Sequence, residues 1–508
     1  MTDQTLLLDG SPISLANLAA VARDLRPVQL APTARSRMDA ARAVVAAATA
    51  DGLAHYGINT GFGSLSRTRI ADDQLRNLQH NLIRSHAAGV GNPLPPHVVR
   101  GVMLLLAASL ARGHSGVRPV VVEQILRVLN ANIIPFVPEV GSVGASGDLA
   151  PLAHIALTLM GEGRVLHQRG DARPSAEALQ IHDIPPLSLE AKEGLALING
   201  THLMACRAAL ALIDIDSLLP AALGAAAMSI DACRATDAFL DDRLHAARNQ
   251  PGQRKVASTI RSLLAGSEIL PSHRENDPRV QDPYSLRCIP QVLGAACDTI
   301  DAMRPAVLSE LAAVTDNPLV FPDPMGPGDI ISGGNFHGMP VAIPMDVLSI
   351  ALAHVAGISE RRTFLMLAAA DPEAHLRPYL SPHPGVSSGL MIAQYTAAAC
   401  CNEIITLCTP ASVANITTSA GMEDYNSFGP RAASKLARVI DLTRHVVAIE
   451  LLCAAQALEY HRPLKSGRGV EQVYQSIRGI VPPLTVDRSP APDIEAISEL
   501  IADAEFSL

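Results

Sequence analysis

Tryptophan is absent from this chain and aromatic residues make up only 3% of it, although hydrophobic residues reach 48%. A core cannot then rest on stacked rings and must be assembled from Ala, Leu, Val and Ile. Ala and Leu are the strongest helix formers, and alanine lets helices approach closely. Basic runs are missing too. With a formal net charge of −9 and no cluster of Lys or Arg, the surface offers no phosphate-binding face, which argues against a nucleic-acid partner. The eight cysteines form no CxxC pair, so neither a zinc site nor a disulfide framework is expected, and no metal. No uncharged apolar stretch of about eighteen residues marks a membrane span, and the apolar piece near the N-terminus is too short for a secretory core. The expectation is a cytoplasmic protein with no membrane partner.

What is present in abundance is helical periodicity. Apolar spacing predicts helices over 98–111, 120–131 and 152–160, and longer ones over 203–248, 287–314, 341–370, 388–407 and 430–460. Pro220 should kink or end the first of these long patterns. Segments 248–286, 315–340, 371–387 and 410–429 carry the Pro, Gly, Asn and Asp between them and read as loops, where chemistry tends to sit. No internal repeat or low-complexity linker separates modules. The fold class expected is mainly α, with a large helical-bundle body over 201–508 and a smaller loop-rich N-terminal region over 1–200.

One segment of that first region, Gly141-Ser-Val-Gly-Ala-Ser-Gly-Asp-Leu-Ala-Pro-Leu-Ala-His154, has a chemistry of its own. Side chains supply nucleophiles, acids and bases but no strong carbon electrophile, so proteins usually borrow one from a cofactor. In a tightly bent chain the Gly147 amide nitrogen can attack the Ala145 carbonyl carbon and close a five-membered ring. Loss of water, including the Ser146 hydroxyl, then leaves an exocyclic methylidene. Glycine offers an unhindered nitrogen and unusual backbone angles, alanine an uncrowded carbonyl, and serine the leaving hydroxyl. Asp148 and Pro151 read as an N-cap and an early helical proline, aiming a positive helix end at the ring. The plain alternative is a glycine-rich turn before a helix.

The whole segment closely resembles the prosthetic-group loop of the aromatic amino acid ammonia-lyases, whose members form 4-methylideneimidazole-5-one from Ala-Ser-Gly. The resemblance runs from Tyr56 to the helical end of the chain, with several motifs in the expected order. It implies a prosthetic group made from Ala145, Ser146 and Gly147, with no external cofactor. It further implies a homotetramer whose sites are each shared between three subunits.

Each motif has both a plain structural reading and a role implied by the resemblance. Tyr56, in Tyr56-Gly-Ile-Asn-Thr-Gly-Phe-Gly63, is on its own a loop tyrosine. The resemblance makes it the base that removes the substrate β-proton. At pKa ~10 a free tyrosine is about 0.1% phenolate at pH 7, so a depression of ~2 units, or ~3 kcal/mol, is useful for that task. His86, in Asn81-Leu-Ile-Arg-Ser-His86, is a helix histidine that the resemblance turns into a reader of the substrate ring. The Ser85-His86 pair is similar to family members acting on histidine. Asn199, in an Asn-Gly turn, is by the resemblance the asparagine that contacts the substrate amine or the prosthetic group.

In Val280-Gln-Asp-Pro-Tyr-Ser-Leu-Arg287, the fixed fork of Arg287 matches a carboxylate and should clamp that of the amino acid substrate. The resemblance implies that Gln281 and Tyr284 line the prosthetic group and that Tyr284 takes part in tuning proton transfer. The resemblance also implies that Phe336 packs near the ring and that Glu423 sits near the substrate, where with His86 it would orient an imidazole. Two departures fall on the ring-binding side. Gly421 and Met422 replace an amide pair and Asn426 a valine, and Leu376-Arg-Pro-Tyr-Leu380 stands where the family often has Leu-Pro-Pro-Phe-Leu. The expected reaction is elimination of ammonia from L-histidine to give urocanate. A phenylalanine or tyrosine ammonia-lyase and an aromatic aminomutase are the alternatives on the same scaffold, and an inactive helical assembly protein is a third.

Overall fold

The computed structural model describes residues 5–61, 69–167 and 171–506. Helix dominates, and the sheets among the described residues are small ones of two or three strands. Helices stand at Pro96–Ala111, Pro119–Asn130 and Leu149–Leu159, close to where apolar spacing predicts them. Pro96 and Pro119 occupy the first turn, where a missing N–H leaves no bond unmade. Residues Val98 to Ala111 are buried on every side, which makes that helix a core element.

The long patterns are helices at His202–Ala232, Ile289–Glu310, Met339–Ala368, Met391–Leu407 and Gly429–Leu458. Pro220 does not end its helix. Leu218, Ala221 and Ala222 around it are buried, and that packing outweighs the roughly 3 kcal/mol that an interior proline costs. The helical pattern predicted as far as 248 instead stops at Ala232, and Arg234 follows in the left-handed region at φ 50°. The segment 248–286, expected as loop, contains a helix at Pro251–Leu264. Its buried Val256, Ala257, Ile260, Leu263 and Leu264 have helical spacing, and the proline that reads as a breaker serves as its first residue.

Two of the long helices, His202–Ala232 and Met339–Ala368, are apolar enough to cross a membrane by length and composition, but 61% of each apolar window is buried inside the fold.

Packing divides the chain into two units. The first comprises Met1–Leu210, Pro305–Met345 and Pro410–Ser434, and it holds the Ala145-Ser146-Gly147 loop. The second comprises Ala211–Arg304, Asp346–Thr409 and Lys435–Leu508. Within the second unit, three long helices are tied by one buried ionic group. Arg362 donates from Nε and Nη2 to the two oxygens of Glu450 at 2.5 and 2.8 Å, and Ser229 Oγ donates to Glu450 Oε1 at 2.7 Å. None of the three residues is exposed. Removing one partner leaves an uncompensated charge in the core, so Glu450→Gln should destabilise the protein by about 3 kcal/mol or more in denaturant unfolding. A double Arg362→Met, Glu450→Leu variant should recover most of that loss, and equal losses in the single and double variants would contradict this reading.

Candidate active site

The Ala145-Ser146-Gly147 loop is held against backbone on two sides. Gly147, at φ 74°, forms an isolated bridge with Gly200, in which Asp148 N donates to Gly200 O at 2.7 Å and Gly200 N donates to Ser146 O at 3.3 Å. A Cβ at Gly147 would fall 2.1 Å from the Gly200 oxygen, so only glycine fits. On the other side, Ser427 Oγ donates to Gly144 O at 3.1 Å, and a Cβ at Gly144 would strike the Ser427 hydroxyl. Ser142 closes the turn by donating to Gly147 O at 3.1 Å. Among the described residues these bonds leave the Gly147 N–H and the Ala145 carbonyl uncommitted, the two groups that ring closure would join.

Asp148 precedes the helix Leu149–Leu159, but its side chain does not cap that helix. Its Oδ2 instead accepts from Leu203 N at 2.9 Å and Met204 N at 3.1 Å, in the first turn of His202–Ala232. The expected cap thus serves the neighbouring helix, because the bridge to Gly200 brings that N-terminus beside the loop. Two helix N-termini therefore flank the tripeptide. Burial pushes the Asp148 carboxyl up to about 7, although the two backbone N–H donors oppose the shift. Behind Gly200 lies His202, whose burial drops its imidazole to about 3.

Ser146 opens into a cavity of about 710 Å³, lined also by Tyr56, Ser85, His86, Asn199, Phe336 and Glu423. Six sequence-predicted positions far apart in the chain thus meet in one space. Tyr56 stands in a turn that needs Gly57 at φ 72°, since a Cβ there would lie 2.6 Å from Leu195 Cδ2. Asn59 ties the turn by donating to Leu53 O and accepting from His55 N, both at 2.7 Å. Phe62 and Gly63 of this motif lie outside the described residues.

His86 is the last residue of the helix Leu75–His86. Its Nδ1 lies 2.8 Å from the Leu82 carbonyl, which can only accept, so Nδ1 carries a proton and the neutral ring keeps Nε2 as an acceptor. Asn199 ends the helix Glu193–Ile198 and donates from Nδ2 to Asn317 O at 3.1 Å, while its buried Oδ1 has no partner among the described residues.

The cavity also takes residues that the sequence motifs did not single out. Asn317, Ser332 and Gly333 line it, joined by donation from Gly333 N to Asn317 Oδ1 at 2.6 Å. Lys192, wholly buried, donates to Asp316 Oδ2 at 2.5 Å and locks the start of the Asn199 helix to this strip. The signal available was Asp316-Asn-Pro318, a polar run before a short strand. Met422, one of the departures from the family pattern, is on the cavity wall, whereas Asn426 is buried and donates to the Ile416 carbonyl.

Gln281, Tyr284 and Arg287 are not among the cavity residues and belong to the second unit. Tyr284 is 70% exposed, the Arg287 guanidinium lies 4.5 Å from its ring centre, and Arg287 Nε donates to Asp282 O at 2.9 Å. Asp282 is in turn fixed by Thr236, which donates from N and Oγ1 to Oδ2 at 2.9 and 2.7 Å. Arg287 is thus tied to backbone that Thr236 in turn fixes through Asp282.

A family model for aromatic amino acid lyases matches residues 13–479. The chain belongs to the aromatic amino acid lyase family. A histidine ammonia-lyase of Anaeromyxobacter dehalogenans is 48% identical over 513 residues, covering 99% of this chain and all of that relative. Among solved structures, the histidine ammonia-lyase from Trypanosoma cruzi matches with a TM-score of 0.90 at 37% identity, covering 99% of this chain and 94% of that one. A tyrosine aminomutase from Streptomyces globisporus matches with a TM-score of 0.91 at 32% identity, covering 99% and 98%. The mainly helical architecture of this lyase is thus shared by proteins named as an ammonia-lyase and as an aminomutase.

The position of Asp148 gives this lyase a definite pH signature. Its folded-state value of about 7 lies above the ordinary 3.8, so between those values the folded protein holds the proton more firmly than the unfolded chain. This contribution to stability therefore falls as pH rises from about 4 to 7 and is constant beyond. Asp148→Asn should gain stability relative to the parent across that window, read from denaturant midpoints. A flat difference between the two would contradict the assignment.

Proposed function

We propose that this lyase eliminates ammonia from L-histidine to give urocanate, at an electrophile formed from Ala145, Ser146 and Gly147. The observation that carries the reading is the convergence of Ser146, His86, Glu423 and Tyr56 on one cavity. The residues present fit the group: among the described residues the amide and carbonyl to be joined are uncommitted, and glycines allow the backbone approach that compresses the loop. When formed, the 4-methylideneimidazole-5-one supplies an electron-poor carbon that makes the substrate amine a leaving group.

The chain's own residues supply the rest. His86 Nε2 accepts from one imidazole N–H of the substrate, and the Glu423 carboxylate accepts from the other. The unpartnered Asn199 Oδ1 accepts from the substrate ammonium. Tyr56 takes the β-proton, which is only weakly acidic, so its charge must be stabilised as it moves. Arg287 clamps the carboxylate, with Gln281 and Tyr284 beside the reacting atoms.

Arg287 and Tyr284 lie outside the cavity set, and Tyr284 is exposed in a single chain, which supports a site completed by another subunit. Ile392, Tyr395 and Ile405 on Met391–Leu407 and Phe364 on Met339–Ala368 form exposed apolar surface suited to association as a homotetramer. The second reading, a lyase or aminomutase acting on phenylalanine or tyrosine, draws on Met422, an apolar side chain at the cavity wall.

Side-by-side spectrophotometric assays with histidine, phenylalanine and tyrosine test the substrate. Histidine should be preferred, and His86→Leu should cut kcat/KM for it ~10- to 100-fold by leaving a ring N–H unpaired. Preference of the parent enzyme for phenylalanine, or β-amino acid product with little free ammonia, would favour the second reading. Sharing of the site predicts complementation. Mixed tetramers of Ser146→Ala and Arg287→Gln chains should show activity that neither has alone, and no recovery on mixing would argue for sites built within one chain.

A further inference from the structure

Glu423 is occupied by the group that has to leave. Ser146 Oγ donates to Glu423 Oε1 at 3.3 Å, while Oε2 accepts from Thr418 Oγ1 at 2.9 Å. The carboxylate is held in place by backbone pairing across a tight loop: Thr418 N donates to Glu423 O at 2.9 Å and Glu423 N to Thr418 O at 3.4 Å. Ser419 and Ala420 lie between them in the left-handed region, at φ 50° and 52°. Non-glycine residues adopt that conformation at a cost and keep it only where their surroundings enforce it. The loop thus fixes a carboxylate on the Ser146 hydroxyl. On the opposite side of the same residue, Gly200 N donates to the Ser146 carbonyl oxygen at 3.3 Å.

We propose that Glu423 removes the elements of water from Ser146 during maturation and turns to the substrate only afterwards. The carboxylate takes the Ser146 Cα proton, and the electrons of that C–H bond become the Cα–Cβ double bond. The Cβ–Oγ bond breaks with its electron pair on Oγ, which receives the same proton from Glu423. Water departs and the carboxylate is regenerated. Charge developing on the Ser146 carbonyl oxygen is stabilised by the Gly200 N–H, a donor already aimed at it. Loss of the hydroxyl also strips Oε1 of its partner, so the step that completes the electrophile frees the acceptor that reads the substrate. Order is thereby built in, since the substrate contact at Oε1 opens only once the serine has reacted.

This assignment rests on the reading that Ala145, Ser146 and Gly147 cyclise, and intact-protein mass separates the two. The parent protein should lack two water molecules relative to its sequence. Glu423→Gln should keep one of them, with the ring closed and the hydroxyl retained, or lose it roughly 10²-fold more slowly. Glu423→Asp keeps a carboxylate one methylene further back and should mature at an intermediate rate. Matched circular dichroism and subunit assembly guard against a folding defect. Loss of both waters by Glu423→Gln at the parental rate would overturn the assignment. Retention of both would also overturn it, by moving the residue to ring closure. Two waters retained in the parent would instead overturn the cyclisation reading itself.

Discussion

The close approach of two glycines, 147 and 200, is the constraint on which the rest of this site depends. A single methyl group at position 147 would stand 2.1 Å from the Gly200 oxygen, and one at position 200 would stand 2.6 Å from His202 Cε1 and Thr315 Oγ1. Because neither glycine carries a Cβ, the backbone of the loop lies directly on the turn that opens the helix His202–Ala232. That contact draws Asp148 to the N-terminus of the same helix, where it accepts two backbone N–H bonds. It also puts Asn199 on the cavity beside Ser146. Compression of the loop, the unusual state of Asp148 and one wall of the cavity share this origin.

Each unit is also fastened internally by buried polar pairs. Lys192 and Asp316 fasten the Asn199 helix to the Asn317 strip, and in the second unit Glu450 gathers Arg362 and Ser229. Such pairs add little net stability compared with apolar packing, but they tolerate few alternative arrangements. A core of alanine and leucine supplies much contact area and little directional preference. A handful of buried ions in that core selects one register among several that apolar packing alone would accept, which suits a site whose parts lie hundreds of residues apart.

The sequence shows this architecture unevenly, for physical reasons. Ala145-Ser146-Gly147 is legible because its chemistry is local, with nucleophile, electrophile and leaving group on three consecutive residues. The long helices are legible from apolar spacing, yet Pro220 is misleading because the cost of one proline is small beside the packing of the residues around it. The helix Pro251–Leu264 hides behind its initiating proline. Asp148 reads correctly as a cap but for the wrong helix, since its choice of partner is made by a tertiary contact. Ser332 and Lys192 carry no local signal, and Asn317 only the faint one of a polar Asp316-Asn-Pro318 run, because their roles exist only once distant segments have met. Arg287 is the opposite case: its motif is distinctive, but it is not among the residues that line the Ser146 cavity.

The central claim is that the backbone at Ser146 furnishes the electrophile. It is tested most directly by following urocanate formation from L-histidine in the ultraviolet for the parent protein and for Ser146→Ala, with matched folding and assembly. The account predicts loss of at least ~10³-fold in kcat for the variant, as expected when the main stabilisation of the developing charge is removed. Turnover of the variant at a rate comparable to the parent would contradict it.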